Sequence, residues 1–106
     1  MKPTEEIIAQ VWERGRVMAD ADPSRWRQDA CGAWIYREHF GNERSDFGWK
    51  AENMAVGPPG DPDNLRPFHW RNSRGPGDSG LHCRMKADRA GVPAGEYVHP
   101  PRNRGI

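Results

Sequence analysis

Over the first twenty positions apolar residues return at three- and four-residue intervals. Ile7, Ile8, Val11, Trp12, Gly15, Met18 and Ala19 fall on one helical face, which predicts a helix over 4–20. Thr4 is placed to cap it, and Glu5 and Glu6 occupy the first turn, where the positive end of the helix dipole favours acids. Asp22-Pro23 ends the pattern, since the residue before a proline is driven out of helical geometry. The opposite face, with Glu6, Gln10, Glu13 and Arg14, reads as solvated surface.

The periodicity then changes. "PSRWRQDA" suits one short helical turn capped by Ser24, and "CGAWIYREHF" is a strand rich in aromatic and β-branched residues. "GNERSD" carries turn residues, so "FGWKAENM" is expected to return as the second strand of a hairpin, with Phe47, Trp49 and Ala51 on one face. After the loop "GPPGDPD", Leu65, Phe68, Trp70 and Arg71 follow helical spacing. Pro67 is tolerated only in a first turn, so this helix is expected to begin at Asn64 or Leu65, with Asp63 or Asn64 as cap, and to stop at Gly75-Pro76-Gly77. The final segment has many Gly and Pro and scattered apolar residues; it predicts extended chain with at most one short strand at "GLHCRM".

Composition narrows this outline to an α+β chain of 106 residues with room for one core. Only 35% of residues are apolar and mean hydropathy is −1.00, so the core must rest on a few large side chains: Trp12, Trp26, Trp34, Trp49 and Trp70. The formal charge of +1 conceals an asymmetry, net −4 over residues 1–65 and net +5 over 66–106. Thirteen of the sixteen basic residues are Arg, the side chain suited to bidentate phosphate or carboxylate contacts. No apolar run reaches signal-peptide or membrane-spanning length, which reads as a cytoplasmic protein without membrane contact. Cys31 and Cys83 cannot build a disulfide framework or a four-cysteine zinc site; a single bridge between them is open, though a reducing compartment argues against it.

Two stretches carry a resemblance. "WRQDACGAWIYREHFGNERSDFGW" and "DPDNLRPFHWRNSRGPGD" resemble the segments that small bacterial and phage members of the HNH endonuclease family place before the catalytic strand and in the following helix. The resemblance covers residues 26–78, about half of the chain. It implies an N-terminal helix followed by a ββα-metal (HNH-like) hairpin–helix core within one domain, residues 1–78, and a Pro/Gly-rich irregular tail, 79–106. In that family an acidic residue and a histidine end the second strand, an asparagine opens the helix, and a later asparagine or histidine completes the metal site. The histidine is the general base and the acid helps to hold a divalent cation.

Carried across residue by residue, Glu52 falls on the metal-binding acid, Asn53 on the base histidine, Asn64 on the helix-opening asparagine, and Ser73 on the metal-completing position, or Asn72 if the register is one residue off. Two roles are therefore degraded. Asn53 does not titrate, and losing a positioned base costs roughly 10²–10⁴-fold in rate. Ser73 is a weak ligand, so no metal or other cofactor is expected, with Glu52 and His69 the weak candidates. His69 is the candidate substitute base, although histidine stands there in the resembled group too, which favours a packing or hydrogen-bonding role. His39 reads as exposed, and His82, Cys83 and His99 match no zinc-site spacing.

The resulting expectation is a catalytically degenerate HNH-like protein that binds a protein complex handling nucleic acid, with direct DNA contact open. It would do so through Arg66, Trp70, Arg71 and Arg74. A phage-encoded inhibitor of a host defence system such as a CRISPR effector, acting in the host cytoplasm, is one such role; the acidic first half would serve equally as a binding face by imitating DNA charge. The alternatives are a weak Mg²⁺- or Mn²⁺-dependent nuclease using Glu52, Asn64 and His69, and a structural or regulatory DNA-binding module.

Overall fold

The computed structural model describes residues 4–19, 21–53, 64–74, 80–88 and 101–106. Thr4 opens α1 (Glu5–Glu13), its hydroxyl accepting from Ile7 N at 3.2 Å. The helix stops at Glu13, well short of residue 20. The reason is a competing partner for the backbone: Arg16 N donates to Gln28 O at 2.8 Å and Gln28 N returns to Arg16 O at 3.0 Å, so the chain beyond Gly15 is taken up as extended structure. Met18, assigned by periodicity to the helix face, packs in a different part of the core.

Among the described residues four two-stranded antiparallel ladders follow. β1 (Trp26–Gln28) pairs with β2 (Trp34–Tyr36), and β3 (Trp49–Asn53) pairs with β4 (Leu65–His69). β5 (Ser73–Arg74) pairs with β6 (Leu81–His82), and β7 (Met85–Ala87) with β8 (Asn103–Gly105). Several expectations are corrected here. The helical turn at 23–30 is replaced by β1, entered through a turn in which Asp22, rather than Ser24, accepts the hydrogen bonds. The hairpin between "CGAWIYREHF" and "FGWKAENM" does not form as a ladder: β2 joins β1, and the first segment meets the later one through isolated contacts, among them Tyr36 N to Phe47 O at 3.0 Å, Trp49 Nε1 to Arg37 O at 3.3 Å and a Phe40–Trp49 bridge.

The helix expected from Asn64 is strand β4 over Leu65–His69. Pro67 disposes Arg66 toward extended geometry, and five residues of ladder with β3, from Trp49↔His69 to Asn53↔Leu65, satisfy backbone groups that a helix broken by proline would leave open. The described residues thus form a small α+β fold without a ββα arrangement at 34–74. The segment expected to be irregular beyond residue 78 contributes β6, β7 and β8. The Gly75-Pro76-Gly77 stop, the "GPPGDPD" loop and His99 lie outside the described residues.

The core has two parts. Ile8, Val11, Trp12, Ile35 and Trp49 are buried together, with Ile7, Phe40, Ala51 and Leu65 against them. Trp34 and Ala87 form the second with Met18, Ala21, Trp26 and Phe47. Each buried tryptophan removes enough area from water to contribute about 4–6 kcal/mol of transfer free energy before entropy is charged. Trp12 and Trp49 meet at 5.2 Å and join the two ends of the first cluster. Gly48 precedes Trp49 because only glycine fits: a Cβ there would stand 1.8 Å from Asn42 O.

Several contacts fasten the tail to this core. Asn103 behaves as a strand partner for Trp34, accepting from its N at 2.7 Å and donating to its O at 2.8 Å. Ala87 N donates to Gly32 O at 2.8 Å. Cys31 and Cys83 form a disulfide, contrary to the expectation that a reducing compartment would leave them free. Among the described residues no helix is long and apolar enough to cross a membrane.

Candidate functional site

Glu52 and Asn53 end β3, and Asn64 leads into β4 beside them, since Asn53 pairs with Leu65. Three of the four positions that resemble an HNH site therefore come to one end of one hairpin. Ser73 lies on β5, across from His82. The electrostatics at Glu52 oppose metal binding: Lys50 Nζ pairs with its carboxylate at 3.1 Å, and Arg66 stands opposite it in the ladder. A divalent cation would have to displace one cation and approach a second, with Asn53 as a neutral neighbour. Among the described residues the charges around Glu52 oppose Mg²⁺ or Mn²⁺. Among the described residues no three His, Cys, Asp or Glu side chains converge on a common point.

His69 is placed elsewhere, at the far end of the hairpin. It is buried, 1% exposed, and both ring nitrogens are engaged. Nε2 lies 2.8 Å from Asp46 O and Nδ1 accepts from Arg71 N at 3.1 Å, a pattern that assigns the proton to Nε2 in a neutral ring. Burial lowers its pKa below the ordinary value, the carbonyl of Asp46 and nearby Asp29 acting in the opposite sense. A base needs a free lone pair facing substrate, and here that lone pair is occupied by backbone.

Under His69 sits a polar hub that pattern reading missed. Asp29 accepts from Cys31 N and Ala33 N, both at 2.9 Å, on one oxygen, and from His69 N at 2.8 Å and Asn72 Nδ2 at 2.9 Å on the other. Asn72 is fully buried; it also donates to Met85 O and accepts from Arg84 N and Met85 N. This position, the alternative metal-completing residue, is a structural fastener for the tail. A signal for half of the hub was present in "DACG", where an aspartate two residues before a turn position caps it with its side chain.

The surface above the hub differs in character. Trp70 is half-exposed, its Nε1 donating to Ser45 O at 3.0 Å; its ring stacks on His69 at 5.8 Å. The Arg71 guanidinium lies over the Trp70 ring at 4.6 Å. With Ser73, His82 and Arg84 these two residues line an open groove of about 500 Å³. Of the four residues expected at a partner surface, Trp70 and Arg71 line this groove. Arg66 faces another depression, donating to Leu65 O at 2.8 Å, and Arg74 pairs across from Leu81. His82 and Arg84 were not anticipated as members; they arrive because β6 folds back on β5.

Comparison with family models, with curated proteins and with solved structures gives no match to this chain.

Proposed function

We propose that this chain is a catalytically silent, HNH-like protein that binds a protein complex handling nucleic acid through the groove of Trp70, Arg71, His82 and Arg84. The observation that carries the reading is the state of His69. It is the candidate base left once Asn53 has replaced the family's histidine, and it is buried with its free lone pair taken by Arg71 N. The groove supplies what binding needs in place of chemistry: a rigid aromatic plate with a guanidinium stacked on it, beside a second arginine and a histidine. Such a surface suits acidic side chains or phosphates on a partner, and occupying that partner's nucleic-acid path is how an inhibitor of a defence complex would act.

Plasmid nicking with Mg²⁺ or Mn²⁺ tests the first half. No cleavage is expected; metal-dependent cleavage abolished by Glu52→Ala would overturn the silent reading. Affinity purification tests the second half. The full chain should retain a nucleic-acid-processing complex identifiable by mass spectrometry, and the Trp70→Ala/Arg71→Gln variant should lose it. Retention of the same complex by the variant would remove the groove from the reading.

A further inference from the structure

The turn between β1 and β2 receives the C-terminal hairpin. Gly32, at a positive φ of 85°, accepts through its carbonyl from Ala87 N at 2.8 Å, which lays β7 beside the turn. On the other side Arg16 and Gln28 exchange backbone hydrogen bonds at 2.8 and 3.0 Å, so their side chains leave one face of that bridge. Lys86 and Arg104 stand opposite each other in the β7–β8 ladder and likewise share a face. With Gly32 and Ala87 these four residues line a single depression of about 490 Å³, which has no residue in common with the Trp70–Arg71 groove.

Two observations mark the depression as a place for an anion. Arg16, Lys86 and Arg104 line it and no carboxylate does; Asp29, the acid of the neighbouring turn, commits both oxygens to the hub beneath His69. Among the described residues no carboxylate pairs with any of these three cations. The second observation is Gln28, which is 1% exposed and whose Nε2 is buried with no hydrogen-bond partner among the described residues. Its amide end lies at the wall of the depression, Oε1 being 3.9 Å from where a Cβ on Gly32 would stand. A buried donor without an acceptor disfavours the fold, and so does Lys86 directly opposite Arg104. An oxyanion in the depression relieves both.

We propose that this depression binds the phosphate group of a small molecule, with the Gln28 amide donating to one oxygen and Arg16, Lys86 and Arg104 balancing the charge. A carboxylate would leave two of the three cations unbalanced. A phosphomonoester brings a charge of about −1.5 to −2 and three strong acceptor oxygens, enough to engage the amide and the cationic heads together. The volume falls in the range of small-ligand sites, about 300–1,000 Å³, so an organic portion fits beyond the phosphate. Free phosphate and a phosphomonoester share this chemistry.

Nuclear magnetic resonance of the isotopically labelled full chain, titrated with inorganic phosphate at constant ionic strength, tests this at the donor itself. The side-chain amide signal of Gln28, assigned by its loss in Gln28→Met, should shift saturably with a Kd of about 1 mM or below. If Gln28→Met does not fold, through-bond correlation to the Gln28 backbone in the wild type gives the same assignment. Lys86→Gln and Arg104→Gln should each weaken binding about tenfold, the worth of one charge-assisted hydrogen bond. Arg71→Gln/Arg84→Gln should leave it unchanged, which separates failure of this proposal from failure of the docking reading. Acetate at matched ionic strength should bind at least about tenfold more weakly. Glycerol phosphate distinguishes the two sources: tighter binding than inorganic phosphate assigns the ester, and equal binding assigns the free ion. No saturable shift at Gln28, unchanged affinity in both Lys86→Gln and Arg104→Gln, or acetate binding as tightly as phosphate would each overturn the proposal.

Discussion

The carboxylate of Asp29 and the side-chain amide of Asn72, 43 residues apart, meet at 2.9 Å in the interior, and around this contact the first hairpin, β4 and the C-terminal strands are joined. Asn72 satisfies Arg84 N, Met85 N and Met85 O in the same arrangement. Asn72→Ala would strand those groups in a buried site, each costing about 1–3 kcal/mol if left unpaired. We expect a loss of about 3–5 kcal/mol in urea unfolding, and a larger one for Asn72→Asp, which sets a second carboxylate against Asp29. A loss below about 1 kcal/mol would show that the tail is not held through this residue.

The Cys31–Cys83 disulfide closes a separation of 52 residues. Chain entropy alone assigns such a loop about 4 kcal/mol of stabilisation. Thermal melting with and without reductant should therefore differ by well over ten degrees, and Cys31→Ser/Cys83→Ser should melt with the reduced protein. Coincident melts in the two conditions would show that the bridge contributes nothing.

Arg27 is buried, yet its most accessible partner matters least. Its guanidinium donates to Pro23 O and Glu13 O, both at 2.9 Å, closing the end of α1, whereas the Glu13 carboxylate at 3.4 Å is 72% exposed. Arg27→Met should cost about 1–3 kcal/mol by leaving Glu13 O unpaired, Pro23 O still accepting from Trp12 Nε1, and Glu13→Gln less than about 0.5 kcal/mol because an exposed pair is screened. Equal losses for the two variants would reverse the assignment.

For His69 the sign of the pH dependence follows from burial, which holds its pKa below the ordinary 6.5. Between that value and the lower folded one, the unfolded chain binds a proton that the folded protein refuses, so stability falls as pH falls below about 6.5 and is unaffected above it. His69→Gln removes this contribution. The stability gap between wild type and variant should narrow as pH is lowered from about 7 to 5 in chemical unfolding; a gap that widens would mean that the folded protein favours imidazolium.

Helix α1 was legible because its signals are local: Thr4 caps, Glu5 and Glu6 suit the dipole, and Ile8, Val11 and Trp12 share one face. Three of the five tryptophans read as core anchors, Trp12, Trp34 and Trp49, are buried, and Trp26 packs against the second cluster, whereas Trp70 is half-exposed at the groove. Of the candidate residues, Glu52, Asn53 and Asn64 lie at one end of the β3–β4 ladder, His69 takes the hydrogen-bonding role that its position favoured, and Asn72, offered as an alternative metal-completing residue, serves the interior.

Sequence by itself determined the start and the buried face of the first helix and three of the core's buried anchors, Trp12, Trp34 and Trp49. Tertiary structure alone decided that Leu65–His69 is strand rather than helix, that β2 pairs backward with β1, and that the Gly- and Pro-rich end forms hairpins. The physical reason is the range of the deciding interaction: helical spacing and caps act within a few residues, whereas a strand is stabilised by a partner that short-range pattern does not name. For Leu65–His69 that partner is Trp49–Asn53; for the tail it is the side chains of Asn72 and Asn103 together with Cys31.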